Sequence, residues 1–68
     1  MMLTVVVNGQ KREVPPGATV LDLLKTLEIG PGPVAVEVNA TVVRRARHAE
    51  HRLAAGDRIE IVTLVGGG

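Results

Sequence analysis

TVLDLLKTLEIG, residues 19–30, carries the strongest structural signal in the sequence. Its apolar side chains recur every three or four residues, which aligns them along one side of an α-helix. Thr19 is a good N-cap residue, and Asp22 follows three residues later, where a carboxylate stabilises a helix N-terminus. Gly30 is predicted at the C′ position, because Pro31 prevents the helix from continuing. We therefore expect one main helix, whose core-facing side is formed by Val20, Leu23, Leu24 and Leu27.

The residues before this helix predict a β-hairpin. MLTVVV, residues 2–7, is rich in β-branched side chains that favour a strand. Asn8-Gly9 follows directly, and both residues tolerate the positive φ angles of a two-residue hairpin turn. The returning strand, Gln10–Val14, is mostly charged, which is typical of an exposed edge strand.

The residues after the helix predict three more strands. VAVEVN, residues 34–39, is expected to turn at Asn39-Ala40 into a short strand, TVV, residues 41–43. Residues 44–53 have a weak helical pattern, sufficient for a turn or two of α- or 3₁₀-helix. After a turn at Ala55-Gly56-Asp57, a final strand is expected over residues 58–65, where Ile, Val and Leu dominate.

These elements predict an α+β fold of the β-grasp type. A hairpin alone cannot bury the apolar side of the helix, so the final strand is expected to lie beside the first, parallel to it. The result is a mixed sheet of four to five strands, with the first and last strands in the centre and the helix on one face. Residues 1–65 would form the domain and residues 66–68 a flexible tail.

Side-chain alternation along the final strand separates its two faces. Ile59 and Ile61 are predicted under the helix, together with Leu3, Val5 and Val7 of the first strand. The opposite parity leaves an apolar group on the uncovered face, which we interpret as a docking site for a partner protein. The residues on this face are Val62, Leu64 and Val6, and the predicted docking residues are Val62, Leu64 and the neighbouring Val65.

Size and composition exclude several classes of function. With 68 residues the chain is too small for a deep active-site cleft, and with no Cys it has no disulfide, thiolate metal site or side-chain persulfide. A net charge of +1 and the lack of aromatic residues argue against nucleic-acid binding. No apolar stretch approaches the roughly 20 residues of a membrane span, and no signal-peptide pattern opens the sequence. We expect a soluble, cytoplasmic protein without nucleic-acid or membrane partners.

Three glycines, Gly66, Gly67 and Gly68, follow the final strand, where no turn or helix cap requires them. Such a tail can pass through a narrow channel and deliver its carboxylate to another protein's active site. A carboxylate is an anion at neutral pH and a poor electrophile, so it requires activation, most simply as an acyl-adenylate formed from ATP. An amine would then give an isopeptide, and a sulfur nucleophile would give a thiocarboxylate. The alternative is a frayed terminus or an expression scar.

No residue pattern predicts catalysis or a metal site. His48 and His51 lie three residues apart, but without Cys or a third ligand nearby we expect two exposed histidines that bind no metal. The sequence also contains no nucleophile beside a base and no paired carboxylates at a suitable spacing. We therefore expect no cofactor and no enzymatic activity.

Four segments together resemble the ThiS family, the sulfur carriers of thiamine-thiazole synthesis, which are ubiquitin-like β-grasp proteins. The resemblance extends over the whole sequence, and its most specific part is the last segment. The segments are VVVNGQ at 5–10, PPGATVLDLLKTL at 15–27, VAVEVNATVV at 34–43 and GDRIEIVTLVGGG at 56–68.

The resemblance implies a role as a protein substrate. Gly68 would be adenylated by an E1-like adenylyltransferase of the ThiF type and converted to a thiocarboxylate. Sulfur from a donor such as a cysteine desulfurase would then pass to a thiazole synthase of the ThiG type. Gly66 and Gly67 would thread the partners' active sites, and ATP would belong to the activating enzyme.

Related roles remain open from the residues alone. Carriers for molybdopterin synthesis or tRNA thiolation also end in Gly-Gly, although the VNGQ and IVTLVGGG segments favour thiamine. A ubiquitin-like modifier would instead form isopeptides with lysines. A binding module similar to the TGS domain, another β-grasp domain, would not use a free Gly-Gly end.

Overall fold

A computed structural model describes residues 1–29 and 32–64 of the chain. Within these residues the elements follow the predicted order, and the short fourth strand and the helical turn after it are both present. The final strand is shorter than predicted, because it ends at Thr63. The elements are β1 (Leu3–Val7), β2 (Gln10–Val14), α1 (Val20–Thr26), β3 (Val34–Val38), β4 (Thr41–Val42), a 3₁₀ turn (Arg45–Arg47) and β5 (Arg58–Thr63).

The five strands form one mixed sheet in the order β2-β1-β5-β3-β4. β5 is parallel to β1 on one side and antiparallel to β3 on the other, while β2 and β4 are the edges. The prediction that the last strand inserts beside the first is therefore confirmed, and with it the β-grasp arrangement.

The N-terminus of α1 is closed by a capping box, as the sequence predicted. The Thr19 backbone N–H donates to a carboxylate oxygen of Asp22 at 3.0 Å, and the Asp22 backbone N–H donates to Thr19 Oγ1 at 3.2 Å. Two N–H groups that have no partner inside the helix are thereby satisfied. The N–H of Thr19 also holds the pKa of Asp22 below its ordinary value, with the side-chain hydrogen bond to Thr19 and the charge of Lys25 acting in the same direction.

The C-terminus of α1 differs from the prediction. Glu28, at φ 55°, takes the C′ position that was predicted for Gly30, and Gly30 itself lies outside the described residues. The Glu28 N–H donates to Lys25 O at 3.0 Å and the Ile29 N–H donates to Leu24 O at 3.1 Å. This is the hydrogen-bond pattern of a Schellman motif. The helix ends earlier than the proline signal suggested, because the chain turns as soon as Leu27 has packed against the core.

The core lies between α1 and one face of the sheet. Ile59 is 1% exposed and Ile61 is buried beside it, so the predicted parity of β5 is confirmed. Leu3 and Leu27 are half-buried and pack at the margin. The buried apolar residues are Val5, Val7, Val14, Ala18, Val20, Leu23, Leu24, Val36, Val38, Val43, Leu53, Ile59 and Ile61.

The depressed pKa of Asp22 predicts a pH-dependent effect of Asp22→Asn. A carboxylate whose pKa is lower in the folded state stabilises the fold above its unfolded pKa of about 4, and this contribution is lost as the pH falls through the folded value. We expect Asp22→Asn to be less stable than the native chain at pH 7, and the two stabilities to converge in acid. Urea unfolding at a series of pH values measures the difference. A stability difference that does not change with pH would contradict the charged capping box.

Candidate functional site

The end of β5, which leads to the last glycines, is the candidate functional site. Val62 is 55% exposed and Leu64 is 52% exposed on the face of the sheet opposite α1, so their predicted exposure is confirmed. Val65 and the glycines at 66–68 lie outside the described residues. Docking at Val62, Leu64 and Val65 stays a prediction.

β1 contacts only the first part of β5. The parallel register pairs Val6 with Arg58 and Val7 with Ile59, and the Asn8 N–H donates to Ile59 O at 2.9 Å. At Asn8 the main chain turns away into the hairpin with φ 48°. The main-chain ladder on this side of β5 thus stops before the strand reaches Ile61.

The side chain of Asn8 adds two hydrogen bonds to β5 beyond the point where the main chain of β1 turns away. Nδ2 donates to Ile61 O at 3.0 Å, and Oδ1 accepts the Ile61 N–H at 2.8 Å. The carboxamide therefore acts as one more peptide group of β1, because it offers a donor and an acceptor side by side. The sequence indicated Asn8 only as a turn residue. The one sequence signal for this contact is that position 8 of the turn holds Asn and not Gly or Asp, because only Asn supplies both a donor and an acceptor.

Asn39 makes an equivalent contact at the start of β5. It also has a positive φ, 52°, in the predicted hairpin turn with Ala40. Its backbone N–H donates to Arg58 O at 2.7 Å, and its Oδ1 accepts the Arg58 N–H at 3.0 Å. Its Nδ2 donates to Asp57 Oδ1 at 3.0 Å. The two asparagine side chains, called here the asparagine clamps, thus fix β5 near both ends.

β3 holds the other side of β5 up to the last described residue. The register pairs Ala35 with Val62 and Val34 with Thr63, and the Leu64 N–H donates to Pro33 O at 2.9 Å. β3 therefore fixes the position of β5 and of Leu64, the last described residue.

The structure corrects the prediction that both histidines are exposed. His48 is 4% exposed, and its Nε2 donates to the carbonyl of Val43 at 2.9 Å. The 3₁₀ turn folds this residue back toward α1, where the Leu21 N–H donates to His48 O at 3.0 Å. His51 is half-buried. Across residues 1–29 and 32–64 no three His, Cys, Asp or Glu side chains come together as metal ligands would.

The described helices are short relative to the thickness of a bilayer. None of those in residues 1–29 and 32–64 is long and apolar enough to cross a membrane.

The strand order, the single described helix and the exit of β5 toward three glycines define a ubiquitin-like β-grasp protein. The model of the ThiS family matches residues 5–68, so the chain belongs to the ThiS family. A solved structure agrees with this assignment. The crystal structure of the thiamine biosynthesis protein (ThiS) from Geobacter metallireducens superposes with a TM-score of 0.81 at 29% identity, covering 97% of this chain and all of that one.

Two curated relatives carry the name thiazole synthase. The protein from Paramagnetospirillum magneticum is 36% identical over 66 residues, and that from Magnetococcus marinus is 39% identical over 61 residues. The alignments cover 97% and 90% of this chain but only 20% and 19% of the relatives. The chain thus spans about a fifth of the length of these proteins.

The clamp at Asn8 is tested by Asn8→Gly and Asn8→Asp. Glycine keeps the positive φ but removes both side-chain hydrogen bonds, so we expect the free energy of unfolding to fall by about 1–3 kcal/mol. Aspartate keeps the acceptor but places a second oxygen against Ile61 O, so it should not restore stability. Urea denaturation gives the stabilities, and amide hydrogen exchange at Ile61 reports the clamp directly. Native stability and native protection of Ile61 in both variants would show that the clamp contributes nothing.

Proposed function

We propose that this chain is a sulfur carrier for the formation of the thiazole ring of thiamine. The observation that carries the proposal is the match of residues 5–68 to the ThiS family. Two further observations support it: the structural similarity to a thiamine biosynthesis protein and the name thiazole synthase on both curated relatives. In this role the chain is a protein substrate, and its partners perform the catalysis.

Gly68 is the residue that we propose is modified. Its carboxylate attacks the α-phosphorus of ATP in an E1-like adenylyltransferase of the ThiF type, and pyrophosphate leaves. The acyl-adenylate has AMP as a good leaving group, so the terminal sulfur of a persulfide can displace it and form an acyl disulfide. A thiol then reduces the S–S bond, which releases the thiocarboxylate and leaves the thiol oxidised as a disulfide. A cysteine desulfurase, which carries sulfur from cysteine as a persulfide, is the proposed source of that sulfur. Gly66 and Gly67, which have no side chains, thread the narrow approach to each active site.

The folded domain contributes position and recognition to this chemistry. The asparagine clamps and β3 hold β5 up to Leu64, the point at which the described residues end. Val62 and Leu64 are exposed beside that point, and we propose that they and Val65 dock against the partner enzymes. The thiazole synthase is the proposed receiver of the sulfur, because both curated relatives bear that name.

A carrier for molybdopterin synthesis or tRNA thiolation would use the same tail chemistry. The thiazole synthase names of the relatives favour the thiamine role. A ubiquitin-like modifier would accumulate as a ladder of lysine conjugates on a denaturing gel, whereas a carrier would stay mainly free.

Intact-mass measurement tests the carrier role. The chain is incubated with ATP, the adenylyltransferase of the same organism, a cysteine desulfurase, its substrate cysteine and a thiol reductant such as dithiothreitol. We expect one oxygen to be replaced by sulfur, and fragmentation to place the change at Gly68. A chain whose terminal carboxylate is amidated is the matched control, since it cannot be adenylated. An unchanged mass of the native chain under these conditions would contradict the proposal.

The docking role of the apolar group is tested by a double variant, Val62→Asp with Leu64→Asp. Two half-exposed aliphatic side chains contribute little to the core, so we expect the variant to fold. Loss of their contacts with the adenylyltransferase should raise KM at least about tenfold with little change in kcat. Met2→Asp, at a side chain that is also 50% exposed but precedes β1, is the control. A folded double variant with native KM would exclude docking at this group.

A further inference from the structure

Asn8 combines a structural contact with a chemically reactive sequence. The chain has two asparagines, and of these Asn8 is the one followed by glycine. In an Asn-Gly sequence the backbone nitrogen of glycine can attack the side-chain carboxamide of asparagine, because the glycine has no Cβ to block the approach. Asn39 is followed by Ala40, whose Cβ hinders the same attack. Asn8-Gly9 is therefore the place in this sequence where an unfolded chain deamidates fastest.

The reaction at Asn8 converts a carboxamide into a carboxylate. The deprotonated nitrogen of Gly9 forms a bond with Cγ of Asn8, and Nδ2 takes up a proton and leaves as ammonia. Water then opens the resulting succinimide ring, and the nitrogen of Gly9 regains its proton. Opening at Cγ gives aspartate, and opening at the main-chain carbonyl carbon gives isoaspartate. The reaction consumes water and releases ammonia, and nothing is oxidised or reduced.

The hydrogen bonds of the Asn8 side chain oppose this reaction in the folded chain. Nδ2, which is the leaving group, donates to Ile61 O at 3.0 Å, and Oδ1 accepts the Ile61 N–H at 2.8 Å. Both bonds require a planar carboxamide that lies alongside β5. The attack makes Cγ tetrahedral, so Oδ1 and Nδ2 no longer lie in the plane of those bonds. Asn8 must therefore release Ile61 before Gly9 can react with it.

Burial does not protect the turn. Asn8 is an exposed residue, and a Cβ placed on Gly9 would meet no atom beyond its chain neighbours within 4 Å. Water and hydroxide therefore have access to the turn in the folded chain. The protection of Asn8 depends on its two hydrogen bonds to Ile61.

We propose that Asn8 is a deamidation site that the folded chain protects, and that it reacts when β5 separates from the turn between β1 and β2. Neither product can restore the contact. Aspartate places a second oxygen against Ile61 O, and isoaspartate also adds a methylene group to the main chain of the turn. The reaction thus converts a transient separation of β5 into a permanent weakening of its attachment. This inference does not depend on the proposed carrier function.

Deamidation rates of the folded and the unfolded chain test the protection. The chain is kept in a mildly basic buffer, with and without enough urea to unfold it, and peptide mass spectrometry follows Asn8 and Asn39. We expect Asn8 to react at least about 100-fold more slowly in the folded chain, because only the open fraction reacts. A peptide of residues 5–12 in the same buffers corrects for the direct effect of urea. Equal rates in the two states would overturn the inference.

Amide hydrogen exchange in the same samples identifies the open state. At urea concentrations below the unfolding transition, we expect the deamidation rate of Asn8 to rise in proportion to exchange at the Ile61 N–H, which the Asn8 side chain binds. The Gln10 N–H, in the pair with Val7 that closes the hairpin, is the control. A rate that follows exchange at Gln10 and not at Ile61 would assign the protection to the hairpin and overturn the inference.

Gly9→Ala tests the chemistry without requiring the variant to fold. In urea we expect the added Cβ to slow the reaction at Asn8 to the rate of Asn39 in the same chain, because both asparagines are then followed by alanine. A native rate at Asn8 in the unfolded variant would mean that the reaction does not proceed through the nitrogen of Gly9. That result would overturn the inference.

The deamidated chain itself tests the structural consequence. It carries one more negative charge than the native chain, so ion exchange separates the two. We expect the separated product to lose the protection of the Ile61 N–H and to melt roughly 5–15 °C lower. Native Tm and native protection of Ile61 in the deamidated chain would show that the contact re-forms, and would overturn the inference.

Discussion

The attachment of β5 to both of its neighbours is the constraint on which the fold depends. β5 lies between two hairpins, β1-β2 and β3-β4, neither of which has another strand to pair with in the described chain. A two-stranded hairpin is marginally stable in water at best, so each requires β5 to become part of a sheet that can carry a core. The parallel ladder with β1 is short, and the carboxamide of Asn8 lengthens it to Ile61. The same strand leads to the residues that we propose are modified.

Local patterns were sufficient to predict most of the architecture. The helix followed from apolar periodicity and from Thr19 with Asp22, and the hairpins followed from Asn8-Gly9 and Asn39-Ala40. Three features depended on the rest of the molecule. Glu28 adopts the C′ conformation because of where Leu27 packs, and His48 is buried because the 3₁₀ turn folds back. The clamp at Asn8 joins residues 53 positions apart, which no local signal reveals.

The candidate site was predictable in its apolar part and not in its side-chain hydrogen bonds. Alternation along one strand was enough to place Val62 and Leu64 on the face away from the helix. The contact of the Asn39 side chain with Arg58 required the exact register between β3 and β5, which no local signal reveals.

The pairing of the first strand with the last also has a consequence for biosynthesis. β1 leaves the ribosome more than fifty residues before its parallel neighbour β5, so the core cannot close until β5 has emerged. A chain interrupted before Ile61 lacks the residue that the Asn8 side chain binds, and it exposes the apolar side of α1 to proteases. Only a chain whose synthesis has passed β5 can fold. A folded domain therefore necessarily contains the strand that leads to the glycines.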